Sequence, residues 1–275
     1  MTTTTQTPSL PLPRTTHEAP LAARTLRPIP MSRLARVELR KMFDTRAGFW
    51  LMASVGIVSV LATAAVILWA PDEAITLETF STAIGMPLSV VLPIIAILSI
   101  TSEYSQRTGL TTYTLVPWRG RVITSKLLVT LGIGVVSMAL ALGIGAVGNL
   151  IGSTITGLDA VWDISLQTFA YIVLANILGM LIGFMLGVLF RSSSAAVVGY
   201  FVYSLVLPGA LGALAAFQEW FRDLQPWVDV NYAITRLFDS SMTSEYWAQV
   251  GVTTLVWLWI PLAFGLRAVL RAEVK

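Results

Sequence analysis

Six uncharged stretches, each long enough to cross a bilayer, occupy most of the sequence between residues 47 and 266. A helix needs about 20 predominantly apolar residues to span the hydrocarbon core of a membrane, and every stretch reaches that length. We therefore predict an all-α integral membrane protein with six transmembrane helices. The predicted spans cover about residues 47–70, 79–102, 127–150, 167–190, 194–217 and 246–266.

Composition agrees with membrane insertion. Of 275 residues, 55% are hydrophobic and 12% are charged, whereas soluble domains have about 25% charged residues. A soluble bundle of buried helices is the alternative, but helices of such a bundle normally keep a polar face, and these stretches have none. We assign residues 31–275 to one membrane domain.

Basic residues divide unequally between the two sides of the predicted bundle. With both termini on one side, that side collects 16 of the 18 Lys and Arg residues, and only Arg222 and Arg236 fall on the other. Short loops rich in Lys and Arg remain in the cytoplasm. We therefore expect a multi-pass protein of a bacterial inner membrane with both termini cytoplasmic.

Residue types for catalysis and metal binding are scarce in this chain. It has no cysteine and one histidine, His17, which excludes thiolate and multi-histidine metal sites. The P-loop pattern G-x-x-x-x-G-K-[ST] is absent, so the chain cannot hydrolyse ATP by that route. The net charge of +3 fits anionic lipids and an acidic partner surface better than nucleic acid. We expect no catalytic residues, no cofactor, no metal and no nucleic-acid partner.

Residues 1–30 are rich in threonine and proline, which predicts a disordered cytoplasmic tail. Over residues 31–46, apolar and basic residues separate onto opposite faces of a helix, which is typical of a helix lying along the membrane surface. A plain basic anchor without a mechanical role is the alternative. Glu38 falls on the apolar face, where it could pair with Lys41. The residues assigned to this amphipathic helix are Arg33, Arg36, Leu39, Arg40, Met42 and Phe43.

Glycines and prolines interrupt the apolar spans. Gly179, Gly183 and Gly187 recur every four residues, a spacing that lets helix backbones approach closely. We expect them to pack helices within the chain, with a subunit interface as the alternative. Prolines remove helical hydrogen bonds and favour kinks, and they occur inside the spans at positions 87, 93, 208 and 261.

No Asp, Glu, Lys, Arg or His lies within any of the six uncharged stretches. Proton pumps and many ion-coupled carriers place ionisable groups at membrane depth. Any transport by this chain is therefore expected to draw its energy from another subunit.

The most distinctive polar segment is the loop between the second and third spans, residues 103–126. An acid ends the second span; an Arg and a Gly/Thr-rich turn follow, then Leu-x-Pro, a basic cluster and Lys-Leu. In type and order these residues resemble the cytoplasmic coupling loop of the type-2 ABC transporter permease family. That family often has Pro-x-Ser-Arg where this chain has Pro-Trp-Arg-Gly-Arg, so both arginines are kept as candidates. The resemblance assigns ATPase coupling to Glu103, Arg107, Thr108, Gly109, Pro117, Arg119 and Arg121.

The resemblance extends over residues 31–275 and includes a hydrophobic outer segment, residues 211–246, before the last span. In that family the corresponding region forms short re-entrant helices at the outer leaflet, and aromatic residues suit such an interfacial position. An ordinary aromatic belt is the alternative. Pro208, with Gly209 and Gly212, supplies a break where the fifth helix could end and the chain turn back. The aromatic residues assigned to this outer cap are Trp220, Phe221 and Trp227.

The resemblance implies a transport subunit of an ABC exporter, not an enzyme. Two copies, or one copy with a related permease, would work with two cytoplasmic ATPase subunits that bind ATP and Mg²⁺, surrounded by membrane lipids. A path without fixed charge favours a lipophilic or amphipathic substrate. The other interpretations are a passive channel, a membrane-anchoring scaffold and an ion-coupled secondary carrier.

Overall fold

The structure, a computed structural model, describes residues 29–105, 119–238 and 241–271. Within these ranges, regular secondary structure is helical apart from one isolated bridge between Thr76 and Val161. Residues 1–28 of the predicted tail and residues 106–118 of the predicted coupling loop lie outside the described residues. The helices are α1 (Met31–Asp44), α2 (Arg46–Trp69), α3 (Leu77–Ser105), α4 (Arg119–Thr156), α5 (Leu166–Phe190), α6 (Ser193–Phe217), α7 (Glu219–Val228), α8 (Val230–Thr235) and α9 (Ser244–Arg271).

Six of these helices, α2 to α6 and α9, are long and apolar enough to cross a membrane. Over the described residues this confirms a helical chain with six candidate spans, which is consistent with the predicted all-α membrane protein. The third candidate span differs from its predicted limits, because α4 begins at Arg119 and contains 38 residues. At 1.5 Å per residue it is about 57 Å long, well beyond the roughly 30 Å hydrocarbon core. Arg121 and Lys126, assigned from the sequence to the loop, are therefore helical.

The core of the bundle lies between α3 and α5. Leu88, Leu92 and Ile97 of α3 are fully buried in the same apolar cluster as Met180 and Phe184 of α5. Close packing of side chains over this contact leaves few exposed positions on α5, the most buried of the six long helices.

The regularly spaced glycines of α5 face α3. A Cβ atom built on Gly183 would lie 2.6 Å from the carbonyl oxygen of Pro93, and one on Gly187 would overlap the side chain of Ile100. Gly179 leaves more room, with Pro93 Cγ at 3.7 Å. Small residues at this spacing therefore allow the two helix backbones to approach within the chain.

The loop between α4 and α5 is bound to the first turn of α3. Leu77 donates its backbone N–H to the carbonyl oxygen of Val161 at 3.1 Å, and Glu78 donates to a carboxylate oxygen of Asp163 at 2.8 Å. Asn149 of α4 donates its side-chain amide to the same Val161 carbonyl at 2.9 Å. We call this part of the bundle the Asp163 end, and the part where α3 finishes the Glu103 end.

The possible break at Pro208 does not end the fifth helix, because α6 continues to Phe217, in agreement with the predicted span 194–217. Ahead of the proline, the backbone N–H of Leu207 bonds to the carbonyl of Val202, five residues back, within a π-helical segment, Val202–Val206. This wider turn changes the hydrogen-bond register just before Pro208, which has no backbone N–H to donate. The chain leaves the helix instead at Gln218, whose φ of −127° and ψ of 109° are extended.

The same arrangement recurs in α9. A π-helical segment, Leu255–Trp259, ends two residues before Pro261, and the N–H of Ile260 bonds to the carbonyl of Leu255. Both prolines are thus accommodated inside continuous helices by a local π turn, which is a recognised cause of helix bending.

Candidate functional site

Four charged side chains meet at the Glu103 end of the bundle. The ammonium nitrogen of Lys126 lies 2.6 Å from Oε2 of Glu38 and 3.3 Å from Oε1 of Glu103. The ammonium nitrogen of Lys41 lies 2.8 Å from Oε1 of Glu38 and 3.6 Å from Oε1 of Glu103. We call these residues the charge cluster. Two acids and two bases balance, so the cluster has no net charge.

Three helices contribute to the charge cluster. Glu38 and Lys41 are three residues apart on α1, a spacing that places them on the same face. Glu103 lies in the last turn of α3, and Lys126 lies in the third turn of α4. The cluster therefore joins α1 to the end of one candidate span and the beginning of the next.

Three members of the charge cluster are buried. The side chains of Glu38, Glu103 and Lys126 are 8%, 6% and 3% exposed, while that of Lys41 is 47% exposed. Burial of an isolated charge is costly, but opposite charges at hydrogen-bond distance offset that cost. Each buried charge here has an opposite charge within 3.3 Å.

Two members of the charge cluster, Glu38 and Lys41, have pKa values shifted towards their charged forms. Burial alone would raise the pKa of the Glu38 carboxyl, but attraction and hydrogen bonds from Lys126 and Lys41 outweigh it and hold that pKa below its usual value. Burial would lower the pKa of the Lys41 ammonium group, yet the hydrogen bond from Glu38 and the charges of Glu38 and Glu103 raise it. Both shifts favour the charged forms.

The charge cluster lies on both sides of residues 106–118 in sequence. Glu103 precedes that segment and Lys126 follows it, and both contact α1 residues. Arg121 adds a further link, because its guanidinium donates to the backbone carbonyl of Ile29 at 2.6 Å. A displacement of the intervening segment would thus act on α1, α3 and α4 together.

The predicted coupling residues divide into two groups. The structure brings Glu103 into the charge cluster and places Arg121 two residues from the start of α4, next to Ile29. Arg119 opens α4. The remaining assignments fall outside the described residues, and they are Arg107, Thr108, Gly109 and Pro117.

The predicted amphipathic helix corresponds to α1, which ends at Asp44. Its arginines at 33, 36 and 40 are exposed, and Arg40 pairs with Asp44 at 3.0 Å. Leu39 and Phe43 are also exposed, while Met42 is half-buried. The only signal for the charge cluster in the sequence was the acid on the apolar face. It predicted the contact with Lys41 but not the one with Lys126, 88 residues away.

The predicted outer cap forms α7 and α8 and is joined to two long helices. Asn231 donates its side-chain amide to the carbonyl of Tyr203 in α6 at 3.1 Å, and the Trp257 indole of α9 donates to the carbonyl of Val228 at 2.7 Å. The three predicted cap residues differ in burial. Phe221 is buried, whereas Trp220 is 64% exposed and Trp227 is 37% exposed.

The bond from Asn231 has a specific partner. In a regular α-helix the carbonyl of Tyr203 would accept from Leu207, but the π-helical register moves that N–H to Val202. The side-chain amide of Asn231 donates to the Tyr203 carbonyl in place of the Leu207 N–H. This satisfies a backbone group that would otherwise be unpaired within a candidate membrane span.

A polar cavity of about 350 Å³ opens at the Asp163 end. It lies between the first turns of α3 and α5, with Phe238 on its remaining side. Its polar lining comes from Glu78, Ser81, Thr82, Asp163, Thr168 and Ser241. Among the described residues, no three His, Cys, Asp or Glu side chains are grouped to hold a metal ion.

No protein-family model matches the chain, and no curated protein matches it. The features of the chain that bear on its function are the charge cluster, the candidate spans and the outer segment.

Proposed function

We propose that the chain is the membrane-spanning permease subunit of an ATP-driven ABC exporter. The observation that supports this most is the charge cluster, which binds α1 to helices on both sides of residues 106–118. The loop that resembles the ATPase-coupling loop of type-2 permeases includes this segment. A passive membrane anchor would not need a buried charge cluster that connects the two ends of the loop at residues 103–126.

The proposed mechanism is transmission of force through the charge cluster. Closure of an ATPase against the loop moves residues 106–118. Because Glu103 and Lys126 are both bound to α1, α1, α3 and α4 then tilt as one unit. The shifted pKa values of Glu38 and Lys41 favour their charged forms, which supports a persistent link between α1 and the loop ends.

Assembly and orientation complete the proposal. The 16-to-2 division of basic residues supports a cytoplasmic location for the Glu103 end and both termini, in a bacterial inner membrane. Two ATPase subunits bind there and supply ATP and Mg²⁺ chemistry. The helix α6 exposes apolar side chains to a second permease copy or a related subunit, among them Val198, Val202, Leu205 and Val206. The substrate is lipophilic or amphipathic.

Coexpression with the ABC ATPase encoded beside this gene tests the proposal. The tagged permease should retain the ATPase on purification, and the reconstituted pair should hydrolyse ATP faster with lipophilic compounds. Arg107→Ala should weaken both effects, because loss of one docked charge typically costs at least a few-fold in affinity. Arg46→Ala, an exposed basic residue at the start of α2, is the matched control. Failure to retain the ATPase, with uncoupled solute flux, would identify a channel instead.

Orientation has an independent test in this cysteine-free chain. Asp159→Cys and Arg33→Cys place single thiols at exposed positions of opposite ends. An impermeant thiol reagent added to intact cells should label Asp159→Cys and leave Arg33→Cys unlabelled until the cells are opened. The reverse pattern would invert the orientation.

A further inference from the structure

An apolar groove of about 800 Å³ lies between α1, α2 and α4 at the Glu103 end. Pockets for small molecules usually have volumes of about 300–1,000 Å³ and are mainly apolar with a few polar groups. Here the lining is apolar except for two serines and one charged residue, Arg36 of α1. No part of the described chain occupies this groove.

Two glycines on opposite walls leave the groove open. Gly56 of α2 and Gly132 of α4 both line it, and a Cβ atom built on either meets no other atom within 4 Å. This differs from Gly183, where the missing side chain is replaced by a neighbouring helix. The absence of side chains at these two positions thus enlarges a groove and does not pack a contact.

The groove has the dimensions of one lipid leaflet. On α4 its lining runs from Val129 to Ile144, which at 1.5 Å per residue is about 22 Å. One leaflet with its headgroup region contributes about half of the roughly 40–45 Å thickness of a bilayer, or about 20–22 Å. The Val129 end is next to Lys126 and so next to α1, whereas Ile144 lies farther along the candidate span.

A cation lies at the α1 end of the groove. Arg36 is exposed, and among the described residues it makes no ion pair, unlike Arg40, which binds Asp44. Two residues further on, Glu38 is bound to Lys126, which fixes α1 against α4 and holds Arg36 near the groove. Basic residues beside grooves between transmembrane helices are typical binding sites for anionic lipid headgroups.

We propose that this groove binds one anionic phospholipid, with an acyl chain between α2 and α4 and the phosphate at Arg36. The apolar walls of the groove match the acyl chain of a phospholipid, and the length of the groove matches that of the lipid. The single cation at its end, Arg36, matches the anionic headgroup. This site is independent of the proposed transport activity, because it requires neither an ATPase nor a substrate.

Native mass spectrometry of the delipidated full chain, titrated with phosphatidylglycerol or phosphatidylcholine of the same acyl chains, tests the proposal. The parent should retain one phosphatidylglycerol in preference to phosphatidylcholine. Arg36→Ala should lower that preference about fivefold, the effect of one basic group at an anionic lipid surface. Arg33→Ala, another exposed arginine of α1 that does not line the groove, should leave the preference unchanged.

Filling the groove provides the second arm of the test. The double variant Gly56→Leu/Gly132→Leu should lose the retained lipid, whichever its headgroup. Gly143→Leu is the matched control, because Gly143 lies on α4 with open space around it but does not line the groove. Unchanged lipid retention in the double variant overturns the proposal. So does a chain dimer that the double variant dissociates without any loss of lipid, since a second copy would then fill the groove.

A fluorescence measurement covers the case in which the double variant does not fold. A single thiol at Val136→Cys, labelled with a fluorophore, reports from the groove wall. Phosphatidylglycerol with brominated chains should quench it more strongly than brominated phosphatidylcholine at equal mole fraction. Arg36→Ala should abolish the difference. Equal quenching by both lipids in the parent contradicts the proposed headgroup site.

Discussion

The ammonium nitrogen of Lys126 lies 2.6 Å from a carboxylate oxygen of Glu38, a residue 88 positions earlier in the chain. The contact joins a helix that precedes the first candidate span to the helix of the third. Both side chains are more than nine-tenths buried. At this depth an ion pair adds little net stability, but loss of one partner leaves an uncompensated charge behind.

Single substitutions in the charge cluster should therefore be strongly destabilising. Lys126→Met leaves two buried carboxylates without their nearest cation, and Glu38→Gln leaves Lys126 with only the longer contact to Glu103. We expect each to lower the free energy of unfolding by about 3–5 kcal/mol. Thermal unfolding in one detergent measures the effect.

The double variant Glu38→Gln/Lys126→Met gives a sharper result than either change alone. Because neither charge is then stranded by the other, its loss of stability should be clearly smaller than the sum of the two single losses. Arg40→Met, which breaks an exposed pair with Asp44, is the control and should have a small effect. Strict additivity would show that Glu38 and Lys126 do not interact.

Acid should weaken the charge cluster. The pKa of Glu38 is lowered in the folded chain, mainly because the charge of Lys126 overcomes the effect of burial. Its stabilising contribution is therefore complete above the unfolded pKa of about 4.3 and is lost as the pH falls through the lower folded value. The difference in unfolding temperature between the parent and Glu38→Gln should be constant from about pH 7 to 5 and narrow below about pH 4. A constant difference down to about pH 2 would contradict this assignment.

The six spans were predictable because each is an uninterrupted apolar stretch, and the length needed to cross a bilayer is fixed by its thickness. The charge cluster was only half predictable. Glu38 and Lys41 are neighbours on one helix, so helical spacing alone pairs them. The contact between Glu38 and Lys126 depends on how α1 packs against α4, and no local spacing in the sequence specifies that packing. The sequence therefore indicated that Glu38 is unusual, but it did not identify Lys126 as the principal partner of Glu38.

Pro208 lies inside the fifth helix, although a proline with two glycines nearby indicated a possible break there. A proline lacks an N–H and clashes with the preceding turn, so a helix end is the ordinary expectation. The π-helical segment Val202–Val206 instead widens the preceding turn, and Asn231 binds the carbonyl that this leaves free. Both compensations depend on tertiary structure.

The aromatic residues of the outer cap indicated an apolar surface. The hydrogen bonds that hold the cap against the long helices come instead from Asn231 and Trp257.

Gly183→Ala should destabilise the bundle, whereas Gly179→Ala should not. A methyl group at position 183 would lie 2.6 Å from the backbone oxygen of Pro93, so α3 and α5 would have to separate. Overpacking of this kind typically costs about 1–3 kcal/mol. At position 179 the nearest atom is Pro93 Cγ at 3.7 Å, an ordinary contact, and alanine favours the helix. Thermal unfolding of the two variants compares them directly, and equal stability would refute the close contact.

The outer segment should separate more often from α6 and α9 when its two hydrogen bonds to these helices are removed. Asn231→Ala leaves the Tyr203 carbonyl without its donor, and Trp257→Phe does the same to the Val228 carbonyl. Removing a partner from a buried polar group costs about 1–3 kcal/mol, so the amides of α7 and α8 should exchange with deuterium roughly 5–100-fold faster. Trp259→Phe, a change at an exposed tryptophan of the same π-helical segment, should leave exchange unaltered. Amides of α5 serve as an internal reference, because faster exchange there as well would mean that the whole bundle is destabilised. If α7 and α8 keep the protection of the parent in both variants, these bonds do not hold the outer segment against α6 and α9.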